Sequence, residues 1–393
     1  MMQANLYQRN GISSIQVCLF MAFLFVVPSQ QFQVPQNSPH PFVLSNGTLQ
    51  RVVNNDTTMK MEKLIKGASS TKKDELSYDA IQNIIDVSRP YYALENESVI
   101  KVDGKPIGFA AEVSQEMPFH IEEGGHMGFS EAMRHMAIAG SVAAALANPK
   151  VAKNYYLALN GSMQHNDVLP KKIQDEIDNL IPYTAGKAKI FAYSTSFNKR
   201  EATSEVYFSS KEDGNFIRLN VSYKVLSESV YSRFFPPLAN IDESKLGPWC
   251  PQKHNNPYTD PIYIPISDSK FLDHNTIFYQ AKIPTVCPSK CFGHFDTSPC
   301  LPVAFLIAHL VDAAMQSVVV LCNEYGVPTK PLIAKTGFLD AKSLVQAGTH
   351  GLKVEGKTTR IDDGVYEFSF DTFTDNDAGS EIAHLQLVFA EKE

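Results

Sequence analysis

The sequence predicts an α+β protein made of a duplicated unit, each copy a long apolar helix wrapped by a curved antiparallel sheet. Three observations predict it. Residues 129–147 are apolar on most faces and residues 302–322 nearly all round, the pattern of helices buried in a core. Each is followed by extended runs in which apolar and polar residues take turns, most clearly Phe216-Ile217-Arg218-Leu219-Asn220-Val221-Ser222-Tyr223, as on half-buried strands. The order of elements is also the same in two blocks. His126 and His294, which precede the two helices, are separated by about the same interval as the closing strands of the blocks. A buried helix followed by an antiparallel meander, twice over, fits a sheet that curls round its helix.

In chain order, the first block has an extended run at 107–113, a loop holding His126, and the helix 129–147. Extended runs follow at 155–163, 185–197, 203–210 and 216–226. The second block has 277–283, a loop holding His294, the helix 302–322, then runs at 331–339, 342–357, 364–373 and 381–390. Residues 236–265, rich in Pro and Asn, read as a linker. The expected organisation is a leader-like, mostly disordered 1–75, a first module at 90–235, the linker, and a second module at 266–393.

Hydrophobic residues make up 44% of the 393, enough for full cores, and the formal charge of −7 gives no basic face for nucleic acid. The N-terminus differs from the rest. Residues 1–55 contain no Asp or Glu, and the apolar run 17–27 is too short to span a bilayer but fits a signal-peptide core. A Ser/Asn/Pro/Thr-rich stretch to about residue 70 then resembles a transit peptide. Together they read as the cleaved bipartite leader of a plastid-type protein, with a secretory signal or a retained helix of a cytoplasmic protein as alternatives. No stable membrane span is expected in the mature chain.

Cys287-x3-Cys291, followed by His294 and Cys300, invites a zinc reading, but the spacing does not match a standard knuckle. Reduced, partly buried thiols and no metal are expected instead.

The stretch that carries chemistry is Gly293-His294-Phe295-Asp296-Thr297-Ser298-Pro299-Cys300-Leu301-Pro302, running straight into the second helix. It resembles the hotdog-fold β-hydroxyacyl-thioester dehydratases of fatty-acid and polyketide synthesis, in their double-hotdog form. Their Gly-His-Phe, a Pro five residues after the His, and a second Pro three further on are matched by Gly293, His294, Phe295, Pro299 and Pro302. The resemblance implies a substrate carried as a thioester on the phosphopantetheine of acyl carrier protein or coenzyme A, no other cofactor, and a possible homodimer.

The residues support such a site on their own chemistry. An imidazole that titrates near neutrality suits His294 to act as base. The first N–H groups of the helix, at Val303 and Ala304, lie at the positive end of its dipole and suit a thioester oxygen. Phe295 and Cys300 complete the expected substrate contacts.

Two departures from the family stand out: Val303 where a Gly is usual, and Ala308 where the helix acid belongs. The first helix carries Phe129-Ser130-Glu131-Ala132-Met133, which resembles the family's acid-Ala-Met turn, so a composite site of His294 as base and Glu131 as acid is expected. A mirror site of His126, His309 and Asp312 would be degenerate or devoted to binding. The function expected is therefore a dehydratase or hydratase of 3-hydroxyacyl thioesters. The alternatives are a hotdog acyl thioesterase and a non-catalytic acyl-binding or scaffold protein.

Overall fold

A computed structural model describes residues 42–45, 48–51 and 78–392, apart from short stretches of which 167–177 and 238–255 are the longest. The apolar run 17–27, Cys18 and most of the expected leader and linker lie outside the described residues. Two units are resolved, 1–60 and 61–393. In the first, β1 (Phe42–Ser45) and β2 (Thr48–Arg51) pair as a small antiparallel hairpin.

The second unit opens with a short helix, α1 (Tyr78–Ile85). The first repeat follows: β3 (Glu95–Val102), β4 (Lys105–Val113), α2 (Phe129–Ala147), β5 (Asn154–Asn166), β6 (Ala188–Phe197), β7 (Glu201–Ser210) and β8 (Asn215–Ser227). A short helix α3 (Glu228–Phe234) leads out of it. The second repeat is β9 (Ile266–Asp273), β10 (Thr276–Ile283), α4 (Val303–Glu324), β11 (Leu332–Ala341), β12 (Leu352–Asp362), β13 (Val365–Thr374) and β14 (Glu381–Glu391).

The twelve strands of the repeats form one antiparallel sheet in the order β3-β4-β6-β7-β8-β5-β11-β14-β13-β12-β10-β9. Read from either edge inward, the two halves have the same connectivity, so β5 and β11 are equivalent strands that meet in the middle. Their register runs from Thr336↔Gln164 to Asp340↔Asn160. The helices α2 and α4 pack against one another and against the sheet. One continuous apolar cluster runs through both repeats. The fold is a double hotdog, α+β, as expected.

Alternation places the side chains. In β12, Leu352, Val354, Gly356 and Thr358 face inward and the residues between them face solvent. The helix α4 is long and apolar enough to cross a membrane, yet 83% of its most apolar window is buried in this core. It stops where Gly326 turns into left-handed backbone (φ 62°) and Val327 N–H returns to the Cys322 carbonyl at 2.9 Å.

Three strand expectations differ from the structure. β3 and β9 were not expected, because their sequences, Glu95-Asn96-Glu97-Ser98 and Ile266-Ser267-Asp268-Ser269, are polar; they form the two outer edges of the sheet. The run at 342–357 begins as a loop, and β12 starts only at Leu352. There, Gly351 approaches the Ile283 carbonyl and the chain joins β10.

Candidate active site at the mouth of the central cavity

Between β10 and α4 the chain makes a 3-10 turn (Pro288–Cys291) and then the Gly293-His294-Phe295 corner. Gly293 has φ 88°, and a Cβ there would lie 2.4 Å from the Ser88 carbonyl oxygen, so this position accepts only glycine. The segment after α1 clasps the corner. Ser88 N–H donates to the Gly293 carbonyl at 2.7 Å, and Phe295 N–H donates to the Asp86 carbonyl at 3.2 Å. The Asp296 carboxylate accepts from Ser88 Oγ at 2.9 Å and from Gly293 N–H at 2.8 Å.

Phe295 itself has φ 60°, a conformation that costs a bulky side chain and survives only where the surroundings enforce it. Its ring lies edge-on to both members of a stacked pair, Tyr155 and Tyr231, whose centroids are 3.7 Å apart.

This corner fixes His294. Its Nδ1 lies 3.0 Å from the Cys300 carbonyl oxygen, which can only accept, so Nδ1 carries the hydrogen and Nε2 keeps its lone pair. The edge of Tyr91 packs against the imidazole at 4.8 Å. Burial pushes the His294 pKa down to about 4, against the smaller upward pulls of the Cys300 carbonyl and Asp296. The ring is therefore a neutral base at physiological pH.

His294 lines a cavity of about 100 Å³ together with Tyr91, Phe295, Val303 and Ala304. Its remaining walls are mostly apolar residues, chiefly of α2, α4 and the four central strands, with Ser141 and Asn160 among them, and no Asp or Glu lines it among the described residues. At the start of α4, Pro302 offers no side-chain cap. Phe305 and Leu306 N–H groups both donate to the Pro302 carbonyl, at 3.0 and 3.1 Å. Val303 and Ala304, the first two helical residues, have no acceptor within the helix; their N–H groups stand at its positive end, and both residues line the same cavity as His294.

The other expected site residues are placed as follows. Glu131 is wholly buried on α2 and does not line the cavity. It accepts from Arg134 Nη2 at 3.0 Å and lies 2.7 Å from His135 Nε2. Burial opposes its charge, but His135 and then Arg134 outweigh it and hold the carboxyl below the usual range. Cys300 stands behind the imidazole rather than in the cavity wall, and burial pushes its thiol up to about 11, leaving no thiolate at neutral pH.

In the mirror region, His309 Nδ1 is 2.6 Å from the Phe305 carbonyl of its own helix, and its ring lines a separate small pocket with Lys290. Asp312 accepts from Ile264 N–H at 3.1 Å and from Gln316 Nε2 at 2.7 Å, tying the strand-leading segment to α4. His126 lies in the loop just before α2 and is not in the wall of the central cavity.

Two residues escaped the sequence reading. Tyr91, distant in sequence, packs on His294; the only local signal was the Tyr91-Tyr92 pair. Glu123 is buried and accepts the Phe129 N–H, so it caps α2; burial pushes its carboxyl up to about 7. Among the described residues, no three His, Cys, Asp or Glu side chains converge as a metal centre. Cys287 is disulfide-bonded, which corrects the expectation of reduced thiols throughout.

No protein-family model and no curated protein matches the chain. Solved structures of similar fold include a hot-dog-fold protein of unknown function from Alicyclobacillus acidocaldarius. It is 11% identical, with 81% of this chain and 99% of that one covered and a TM-score of 0.41. An acyl-CoA thioesterase II, TesB2, from Mycobacterium marinum is 9% identical, covering 81% and 97% with a TM-score of 0.40. A 12:0-ACP thioesterase from Umbellularia californica is 9% identical, covering 73% and 95% with a TM-score of 0.39.

The dehydratase expectation is corrected here. Both solved structures reported above that carry an activity in their names are thioesterases, and the position that would bear the dehydratase acid is Ala308, an alanine buried on α4.

Proposed function

We propose that the protein hydrolyses acyl thioesters. One observation carries the reading: a neutral imidazole, oriented by the Cys300 carbonyl, lines an apolar cavity beside two helix-terminal N–H groups that have no acceptor within their helix. The acyl chain lies in the cavity and the thioester carbonyl at its mouth. His294 Nε2 takes a proton from a water molecule as the water oxygen attacks the carbonyl carbon. The resulting oxyanion is held by the N–H groups of Val303 and Ala304. When the intermediate collapses, the C–S bond breaks and the leaving thiolate takes the proton back from the imidazolium. The thiol is that of coenzyme A or of the phosphopantetheine arm of acyl carrier protein, the carriers implied by the motif around His294.

Release of free thiol from acyl-coenzyme A tests this. His294→Ala should lower kcat/KM by about a hundredfold or more, the usual worth of a positioned base, while the melting temperature stays near that of the parent. Undiminished hydrolysis by the variant would remove His294 from the mechanism. A second reading, acyl binding without turnover, is favoured by the lack of any carboxylate among the described residues of the cavity wall. Tight acyl binding with no thiol release would establish it.

A further inference from the structure

The floor of the cavity is the inner face of the four central strands, and it is laid out in two rows. One row crosses the sheet as Leu219, Met163, Gly337 and Leu387, which are cross-strand neighbours in register. The next row is Val221, Gly161, Leu339 and Leu385. All eight line the cavity. Each row therefore has one glycine, on opposite sides of the β5–β11 seam, so the two glycines sit diagonally across it.

Backbone geometry does not require either glycine. Neither has a positive φ, and both are regularly paired with their neighbours. Glycine in a strand interior costs roughly 0.5–1 kcal/mol relative to alanine and often marks a place where something else must approach. A Cβ built on Gly161 meets nothing nearer than Leu219 Cδ1 at 3.6 Å; one on Gly337 meets Leu387 Cδ2 at 3.0 Å and Phe129 Cζ at 3.6 Å. Both would project into the space bounded by these side chains.

We propose that Gly161 and Gly337 set the length of acyl chain the protein accepts, by keeping open a diagonal groove across the seam. The proposal rests on the acyl-thioester reading of the site. The cavity of about 100 Å³ is smaller than the ~150 Å³ that takes up benzene in an engineered core, so the chain it holds is short. Side chains at the two glycines would shorten it further, and loss of Met163, their neighbour in the same floor, would lengthen it.

The experiment measures binding of S-alkyl pantetheine thioethers from ethyl to dodecyl by calorimetry, and hydrolysis of the matching acyl-coenzyme A series. The thioethers cannot be hydrolysed and carry the arm common to both carriers. With the full chain, affinity should rise with alkyl length and then fall sharply. In Gly161→Val and Gly337→Ala the fall should come at a shorter chain, with about a tenfold loss for each methylene newly excluded. In Met163→Ala it should come at a longer one, and circular dichroism and melting establish that all three are folded. An unmoved length limit in Gly161→Val and Met163→Ala, an equal loss at every length, or no thioether binding to the full chain would overturn the proposal. A shifted limit without thiol release from any acyl-coenzyme A would leave the length inference standing and remove hydrolysis instead.

Discussion

At the scale of single residues, the low pKa of His294 makes a directional prediction. A base must be unprotonated to act, and this one binds a proton only near pH 4. The profile of kcat/KM should therefore stay level as pH falls through 6.5, where an ordinary histidine would protonate, and drop only towards about 4. A drop centred near 6.5 would contradict the buried environment described here. Glu123 predicts a stability effect of the opposite kind. Its folded pKa of about 7 lies above the ordinary 4.5, so between these values the native state binds the proton more tightly. Its contribution is present at low pH and is lost as pH rises through 7. Glu123→Gln keeps an acceptor for the Phe129 N–H but cannot ionise. Relative to the parent, its melting temperature should rise between pH 5 and 8; a constant difference would refute the shift. His294 was legible in the sequence because Gly-His-Phe and two prolines are local signals. Tyr91 was not, because its contact with the imidazole joins segments far apart in the chain. Glu131 was legible as an acid on a helix, but its commitment to Arg134 and His135 depends on burial that no spacing reveals.

At the scale of elements, the Gly293 corner and its clasp are the parts most exposed to failure. Gly293→Ala forces a Cβ into left-handed backbone and against the Ser88 carbonyl, and should cost about 2 kcal/mol or more. The melting temperature should fall by several degrees, with hydrolysis lost more steeply than stability because the imidazole moves with the corner. A variant as stable and active as the parent would show that the clasp does not hold His294. The helices were the most legible elements. α2 runs Phe129–Ala147, as its largely apolar pattern indicates, because burial on most sides leaves a long signal. The edge strands β3 and β9 were illegible for the converse reason: one face and one edge meet water, so they carry no apolar alternation. β9 in particular is exposed along nearly its whole length.

At the scale of the whole molecule, the shared sheet and the single apolar cluster predict one cooperative unfolding transition. Far-ultraviolet circular dichroism and tyrosine fluorescence should give coincident denaturation curves, and separate midpoints would mean the repeats unfold independently. Residues 266–393 expressed alone should be poorly soluble, since removal of β5 bares the apolar edge at β11. The duplication itself was legible, because two similar orders of elements can be read from one chain. The seam was not: β5 and β11 look like any other strands, and only the pairing in space shows that the cavity lies beneath them.

The equivalence of β5 and β11 has a consequence for how such a molecule changes over time. In a pair of identical subunits, every substitution is made twice, and a loop shortened on one side is shortened on the other. Fusing the copies ends that obligation. Here one copy keeps the proline-bearing histidine corner, while the other has a shorter loop and lends its helix and strands as walls. A symmetric framework has become an asymmetric vessel, and it should take up one acyl group per chain rather than two.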